Sequence, residues 1–175
     1  MTSPLSTSHA QHAEPISVVV PVYNEEGAVT ETLQALQEEF SLIGVAYEII
    51  TVNDGSRDRS GEILEAYAAS REHIRVINRV ENRGYGASLK EGIKAARHDW
   101  ILIIDADGTY PVNDIARLFA LMPEDSSMLV GARVGKNHQT PYLRRFPKWV
   151  LTRLATFLTN RNILDINSGL RIMRR

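Results

Sequence analysis

Apolar and polar positions alternate along this chain in a pattern of short β-branched runs separated by amphipathic segments. Ile16 to Val20 is a β-branched run stopped by Pro21, which predicts a first buried strand. Val29, Leu33, Leu36 and Phe40 then recur at helical spacing. Tyr47 to Val52 predicts a second strand, followed by Asn53, Asp54, Gly55 and Ser56, whose turn chemistry hands over to a helix near Gly61 to Ser70. Ile74 to Asn78 predicts a third strand. After Gly84 and Gly86, the residues Leu89, Gly92, Ile93 and Ala96 form one helical stripe, with Lys90, Lys94 and Arg97 facing away. Trp100 to Ile104 predicts a fourth strand, Pro111 opens a helix through about Leu121, and Ser127 to Ala132 supplies a fifth strand. This β-α alternation predicts a single Rossmann-like α/β domain with a mostly parallel central sheet flanked by helices.

In such a fold the carboxyl ends of the strands line up as one rim, where open α/β sheets place their ligands. The rim here comprises Pro21 to Glu26, Asn53 to Ser56, Glu81 to Gly86 and Asp105 to Thr109. Its most informative part is the apolar run Ile101 to Ile104 ending in Asp105, Ala106 and Asp107. In extended backbone, side chains at i and i+2 point to the same side. Two carboxylates fixed at the end of a buried strand suit a hard divalent cation that also takes a substrate's phosphates. Asp105 and Asp107 are therefore the candidate metal ligands and mark a diphosphate-metal site. No Gly-x-Gly-x-x-Gly follows the first strand, where Pro21-Val22-Tyr23-Asn24-Glu25-Glu26 stands instead, and this argues against a nicotinamide oxidoreductase. Gly84-Tyr85-Gly86 comes too late and lacks a third glycine, so it reads as backbone packing or close approach to a ligand.

Composition narrows the class. The chain has 175 residues, 43% hydrophobic and 23% charged, which fits one globular domain able to bury a core. It has no cysteine, so neither a disulfide framework nor a thiolate-bound metal is available, and a cytoplasmic setting is expected. Residues 1–14 are polar and read as a disordered tail without a signal-peptide core. The net charge of −1 hides a division: Asp165 is the only acidic residue from Arg133 onward, where 10 of the 20 basic residues fall. Within this cationic third, Trp149 to Arg161 patterns as an amphipathic helix, with Val150, Leu151, Leu154, Ala155, Phe157 and Leu158 on one arc. Its apolar stripe suits either an anionic membrane surface or the domain's own core.

Taken in order, the blocks Val20-Pro21-Val22-Tyr23-Asn24-Glu25, Val52-Asn53-Asp54-Gly55-Ser56, Asn82-Arg83-Gly84-Tyr85-Gly86, Asp105-Ala106-Asp107, Gly131-Ala132-Arg133 and Asp165 to Arg171 resemble the inverting nucleotide-sugar glycosyltransferases of family 2, which have a GT-A fold. Within that family the likeness is to the dolichyl- or polyprenyl-phosphate mannosyl- and glucosyltransferases. The resemblance covers about residues 16–175 and makes residues 15–175 one transferase domain. It also implies truncation at the carboxyl end, because relatives continue beyond the Ser-Gly-Leu-Arg block.

The resemblance further implies that Pro21, Tyr23 and Glu25 border the nucleotide, with Val52 and Asp54 at its base and ribose. Asp105, Ala106 and Asp107 would meet the diphosphate, with Mg²⁺ or Mn²⁺ held by the two aspartates. Arg133 would meet phosphate through its planar, permanently charged fork. Asp105, Asp107 and Arg133 are thus the implied catalytic set. The same residues also have plain structural uses: Asp54 as an Asx turn or helix cap, Tyr23 in packing, and Glu25 in a helix first turn.

The implied partners are a nucleotide-sugar donor of the GDP-mannose or UDP-glucose type and a polyprenyl-phosphate acceptor, at the cytoplasmic face of a membrane and without nucleic acid. A phosphate acceptor is already anionic and needs no general base. It needs cations to hold it in line, and Arg144 and Arg145 join Arg133 as candidates. A sugar-hydroxyl acceptor on a polysaccharide or glycan would require a carboxylate base, for which Asp165 is the first candidate unless Asp165 to Gly169 is simply a turn. A truncated, non-catalytic nucleotide-sugar-binding module is the remaining alternative. One departure concerns the metal: Thr109 stands where many relatives carry a Gln that assists it.

Overall fold

The computed structural model describes residues 14–110, 112–120, 128–131 and 168–175. Along these the chain forms β1 (Ile16–Val22), α1 (Val29–Ile43), β2 (Tyr47–Asn53), α2 (Ser60–Ala68), β3 (Ile74–Asn78), α3 (Tyr85–Ala95), β4 (Trp100–Ile103), α4 (Asp114–Ala120), β5 (Met128–Val130) and β6 (Arg171–Arg174). The strands make one six-stranded sheet in the order β3-β2-β1-β4-β6-β5. β1 pairs in parallel with β2 and β4, and β2 pairs in parallel with β3.

The mostly parallel sheet agrees with the sequence pattern, but β6 is an addition to it. This strand runs antiparallel between β4 and β5, pairing Ile172 with Leu102 on one side and Leu129 on the other. Its four residues Arg-Ile-Met-Arg carry no long apolar run, although Ile172 itself is fully buried. Its place is set by neighbours distant in sequence.

A second difference lies at Pro21, which continues β1 instead of stopping it and stands in register with Val52. The Val22 carbonyl accepts from Asp54 N–H on the β2 side, whereas the Val19 carbonyl accepts from Ile104 N–H on the β4 side. Alternation therefore turns the Pro21 nitrogen toward β4, whose ladder with β1 ends at the pair Val19 and Ile103. No hydrogen bond is lost by having proline there.

The sheet is covered on both faces. Val18, Val20, Ile49, Leu102 and Ile104 pack with Val29, Leu33, Leu36 and Phe40 of α1, Leu64 of α2, and Ile115, Leu118 and Phe119 of α4. α1 ends at Gly44, whose φ of 74° and N–H to the Phe40 carbonyl make a left-handed cap. On the opposite face Val19, Ile50, Val52, Ile101 and Ile103 pack with Leu89, Ile93 and Ala96 from the α3 segment. The expected amphipathic helix at residues 149–161, most of the expected tail, and both Pro111 and Leu121 of the expected fourth helix lie outside the described residues. Glu14, the last residue of that tail, accepts a 2.8 Å hydrogen bond from Trp100 Nε1. Among the described residues no helix is long and apolar enough to cross a membrane.

Gly92 is where α3 comes closest to the sheet: a Cβ there would overlap Val19 Cγ1 and lie 3.3 Å from Val52 Cγ2. Gly92→Ala gains about 1 kcal/mol of helix propensity but overpacks a core lined there by β-branched valines, which are stiff at χ1, and overpacking typically costs about 1–3 kcal/mol. A net loss of about 1 kcal/mol is expected in urea denaturation, and a gain in stability would show that α3 rides higher on the sheet.

Candidate active site

Four loops at the carboxyl ends of the strands enclose a crevice of about 290 Å³. Its walls are Pro21, Val22, Tyr23 and Glu25 after β1, Asp54 after β2, Asn82, Tyr85 and Ser88 around the start of α3, and Asp105, Ala106 and Asp107 after β4. This is the point between β1 and β4 where the strand order reverses direction.

The first two loops lock each other. Asn24 N–H donates to Ser56 Oγ at 3.0 Å, Glu25 N–H to Ser60 Oγ at 2.9 Å and Glu26 N–H to Asp58 Oδ2 at 3.1 Å. In return Arg57 N–H donates to Asn24 Oδ1 at 2.8 Å and Arg59 N–H to Glu26 Oε2 at 2.9 Å. Asn24 adopts a left-handed φ of 57°, a conformation that asparagine tolerates better than most residues.

Asp54 ties the second loop to the third. This residue is 3% exposed, and its carboxylate accepts Arg79 Nη1 at 2.8 Å, Arg83 N–H at 3.0 Å and Gly84 N–H at 2.7 Å. Burial alone would raise its pKa, but the Arg83 N–H, the Arg79 guanidinium and the Gly84 N–H together hold it below the usual carboxylate range. Arg79 also donates to Glu91 Oε2 at 2.6 Å and to the Ala87 carbonyl at 2.8 Å, fixing the first turns of α3. Gly55 passes so close that a Cβ there would stand 2.7 Å from Asn82 N.

The paired aspartates reach the crevice by a different route from the one their spacing suggests. β4 ends at Ile103, so Asp105 and Asp107 lie on a turn rather than on extended strand. Gly108 closes that turn with φ 68°, and Thr109 N–H donates to Asp107 Oδ1 at 2.9 Å. Between the two, Ala106 is buried and its carbonyl accepts Thr32 Oγ1 from α1 at 3.1 Å. Asp105 is half-buried and Asp107 exposed.

Glu25, Asp54, Asp105 and Asp107 all line the crevice. Partial burial first, then the Asp107, Asp58 and Asp105 carboxylates, raise the Glu25 carboxyl above its ordinary range. The Tyr85 hydroxyl donates to Asp105 Oδ1 at 2.9 Å, and partial burial of the ring together with that carboxylate raises the phenol pKa, so it stays a donor.

The fold thus brings Pro21, Tyr23, Glu25, Asp54, Asp105, Ala106 and Asp107 together. Val52 is elsewhere: it is fully buried beneath α3 with Val19 and Ile50. Arg133, Arg144, Arg145 and Asp165 lie outside the described residues. Sequence reasoning assigned no side-chain role to Tyr85, Asn82, Ser88 or Arg79. Tyr85 and Asn82 stand inside a recognised block, but nothing in their spacing tells which strand end they face.

An α/β domain with an acidic crevice at its strand-order reversal belongs to the ligand-binding open-sheet class. The chain belongs to glycosyl transferase family 2, whose family model matches residues 17–175, and it has the GT-A fold. An undecaprenyl-phosphate 4-deoxy-4-formamido-L-arabinose transferase of Shewanella sediminis is 34% identical over 169 residues, covering 95% of this chain and 50% of that protein. The chain spans about half the length of the curated relatives it matches. Among solved structures, a mannosyltransferase from Pyrobaculum calidifontis in complex with GDP-Man and Mn²⁺ aligns with TM-score 0.64 at 19% identity, over 94% of this chain and 46% of that one. Glucosyl-3-phosphoglycerate synthase from Mycobacterium tuberculosis, in complex with Mn²⁺, UDP and phosphoglyceric acid, aligns with TM-score 0.65 at 23% identity, over 92% and 56%.

Asp54→Asn removes one of the two carboxylates that meet the buried Arg79 guanidinium, with Glu91 left in place, and a loss of about 2 kcal/mol is expected in denaturant titration. Because the folded pKa lies below the unfolded one, the Asp54 contribution is complete above about pH 4 and is lost as pH falls through the lowered folded value. The difference between wild type and variant should therefore shrink in acid; stability curves that stay parallel down to the acid transition would contradict this.

Proposed function

We propose that the crevice binds the nucleoside-diphosphate part of a nucleotide sugar through a divalent cation on Asp105 and Asp107, and that the protein transfers the sugar, with inversion, to a polyprenyl phosphate. The observation that carries the reading is the meeting of Asp105, Asp107 and Glu25 on one crevice at the sheet's reversal point.

The donor set fits such an ion. Among the described residues no group of three or more His, Cys, Asp or Glu side chains forms a cage for a metal. Mg²⁺ or Mn²⁺ bound by one or two carboxylates and completed by substrate phosphates needs no cage. When bound, the ion supplies Lewis-acid stabilisation of the departing diphosphate. The matches solved with Mn²⁺ and a nucleotide support this choice of ligand class.

The chain's own residues supply the rest. Pro21 and Tyr23 form an apolar and aromatic border for the base, and Asp54 holds the Arg83–Gly84 turn in place. Arg133 is assigned to phosphate, with Arg144 and Arg145 toward the acceptor, all three from the cationic third of the chain. The relatives named as undecaprenyl-phosphate transferases support this choice of acceptor. An acceptor that is already anionic requires no general base, and positioning carries the reaction. The donor is of the GDP-mannose or UDP-glucose type. Residues 149–161, patterned as a basic amphipathic helix, are assigned to contact with the cytoplasmic face of the membrane that carries the acceptor.

A thermal-shift screen of GDP, UDP and their sugars with and without Mn²⁺ tests donor and metal together. A ligand at about 100 times its Kd adds about 2.7 kcal/mol of stability. One nucleotide should raise Tm only when Mn²⁺ is present, and Asp107→Asn should abolish the rise with an unchanged ligand-free Tm. Equal shifts in Mn²⁺ and in EDTA would overturn the metal role. Metal-dependent binding without sugar transfer to added undecaprenyl phosphate would favour a binding module over an enzyme.

A further inference from the structure

Asp105 is confined from two sides. On one side stands Tyr85, the first residue of α3, donating its hydroxyl to Oδ1 at 2.9 Å. On the other lies the backbone of Gly169: a Cβ there would overlap Oδ2 and Cγ of Asp105 and come within 2.9 Å of Oδ1. That second wall is rigid. Gly169 N–H donates to the hydroxyl of Tyr110, which is 5% exposed, and Ser168 Oγ donates to the Gly131 carbonyl. Leu170 is buried, and the chain then enters β6 inside the sheet.

We infer that Tyr85 and Gly169 form a clamp that sets the orientation of the Asp105 carboxylate toward the crevice, which makes Tyr85 a positioning residue for cation binding. The inference rests on the proposed reading that Asp105 and Asp107 hold a divalent cation. The terminal torsion of an aspartate is broad, so an unclamped carboxylate spreads its oxygens over many directions. A hydrogen bond to one oxygen and a backbone wall against the other leave a narrow range. Groups that hydrogen-bond to metal ligands in this way commonly govern affinity although they never touch the ion.

Tyr85 has little structural work to lose. The residue is 47% exposed, and α3 is fastened independently through Gly84 N–H to Asp54 and Arg79 to Ala87 and Glu91. The phenylalanine variant therefore separates positioning from folding. Gly169→Ala probes the other wall, since the new methyl group must displace the Asp105 carboxylate.

The test is Mn²⁺ binding followed by electron paramagnetic resonance of the free ion, in the presence of saturating UDP and, separately, GDP. Wild type, Tyr85→Phe, Gly169→Ala, the double variant and Asp107→Asn are compared, with Tm for each. Tyr85→Phe should bind Mn²⁺ about tenfold more weakly, while its Tm moves by no more than about 2 °C. The double variant should be no weaker than Gly169→Ala alone, because a displaced carboxylate no longer meets the hydroxyl. Wild-type Mn²⁺ affinity in Tyr85→Phe would overturn the clamp, as would fully additive losses in the double variant. If wild type takes up no Mn²⁺ with either nucleotide, or Asp107→Asn binds it unchanged, the metal reading itself fails and the clamp with it. Should Gly169→Ala not fold, Tyr85→Phe decides alone.

Discussion

Between β1 and β4 the parallel ladder ends at Val19 and Ile103, and beyond that pair the two chains separate. β1 continues for three residues along β2, while β4 gives way to the turn carrying Asp105 and Asp107. The crevice is the space left by that separation, so its position follows from strand lengths and strand order. Proline at position 21 suits the arrangement, since its missing donor faces the gap. Apolar burial holds the strands on either side in place. Val18, Val20 and Leu102 are shut off from water on the face covered by α1, and Val19, Ile101 and Ile103 on the face covered by α3.

Above this apolar base lies a layer held by polar contacts. The loops after β1 and β2 exchange five hydrogen bonds, and Asp54 with Arg79 joins the second loop to α3. A buried ion pair of this kind contributes little net stability compared with apolar packing, but removing one partner is costly. Its value here is geometric. It fixes the Arg83–Gly84 turn, hence Tyr85, hence the direction in which Asp105 points. The four loops around the crevice are joined in series, each hydrogen-bonded to the next.

Most of the fold was legible in the sequence because central parallel strands, buried on both faces, write themselves as apolar runs rich in β-branched residues, as β1, β2 and β4 do, while the edge strand β3 keeps Ile74, Val76 and Ile77 around Arg75. β6 was not, since Ile172 is its single fully buried residue and its partners Leu102 and Leu129 are distant along the chain. The crevice was legible as a set of rim residues: Pro21, Tyr23, Glu25, Asp54 and the two aspartates all line it. The local geometry was not. The i, i+2 spacing suggested a strand face, whereas a Gly108 turn presents the pair. Val52 shares a block with Asp54 yet packs into the core, because it lies within β2 under α3 whereas Asp54 stands just past the strand's end. The contacts of Tyr85 and Gly169 with Asp105 join three segments far apart in sequence, and only the fold discloses them.

In the function proposed here, the acidic turn after β4 grips a cation that in turn holds a diphosphate. Crystals grown with Mn²⁺ and the nucleoside diphosphate that the protein binds, measured at the manganese absorption edge, test this directly. One anomalous peak is expected in the crevice, within coordination distance of Asp107, of Asp105 or its bound water, and of a phosphate oxygen. A diphosphate seated in the crevice with no anomalous peak beside these carboxylates would contradict it.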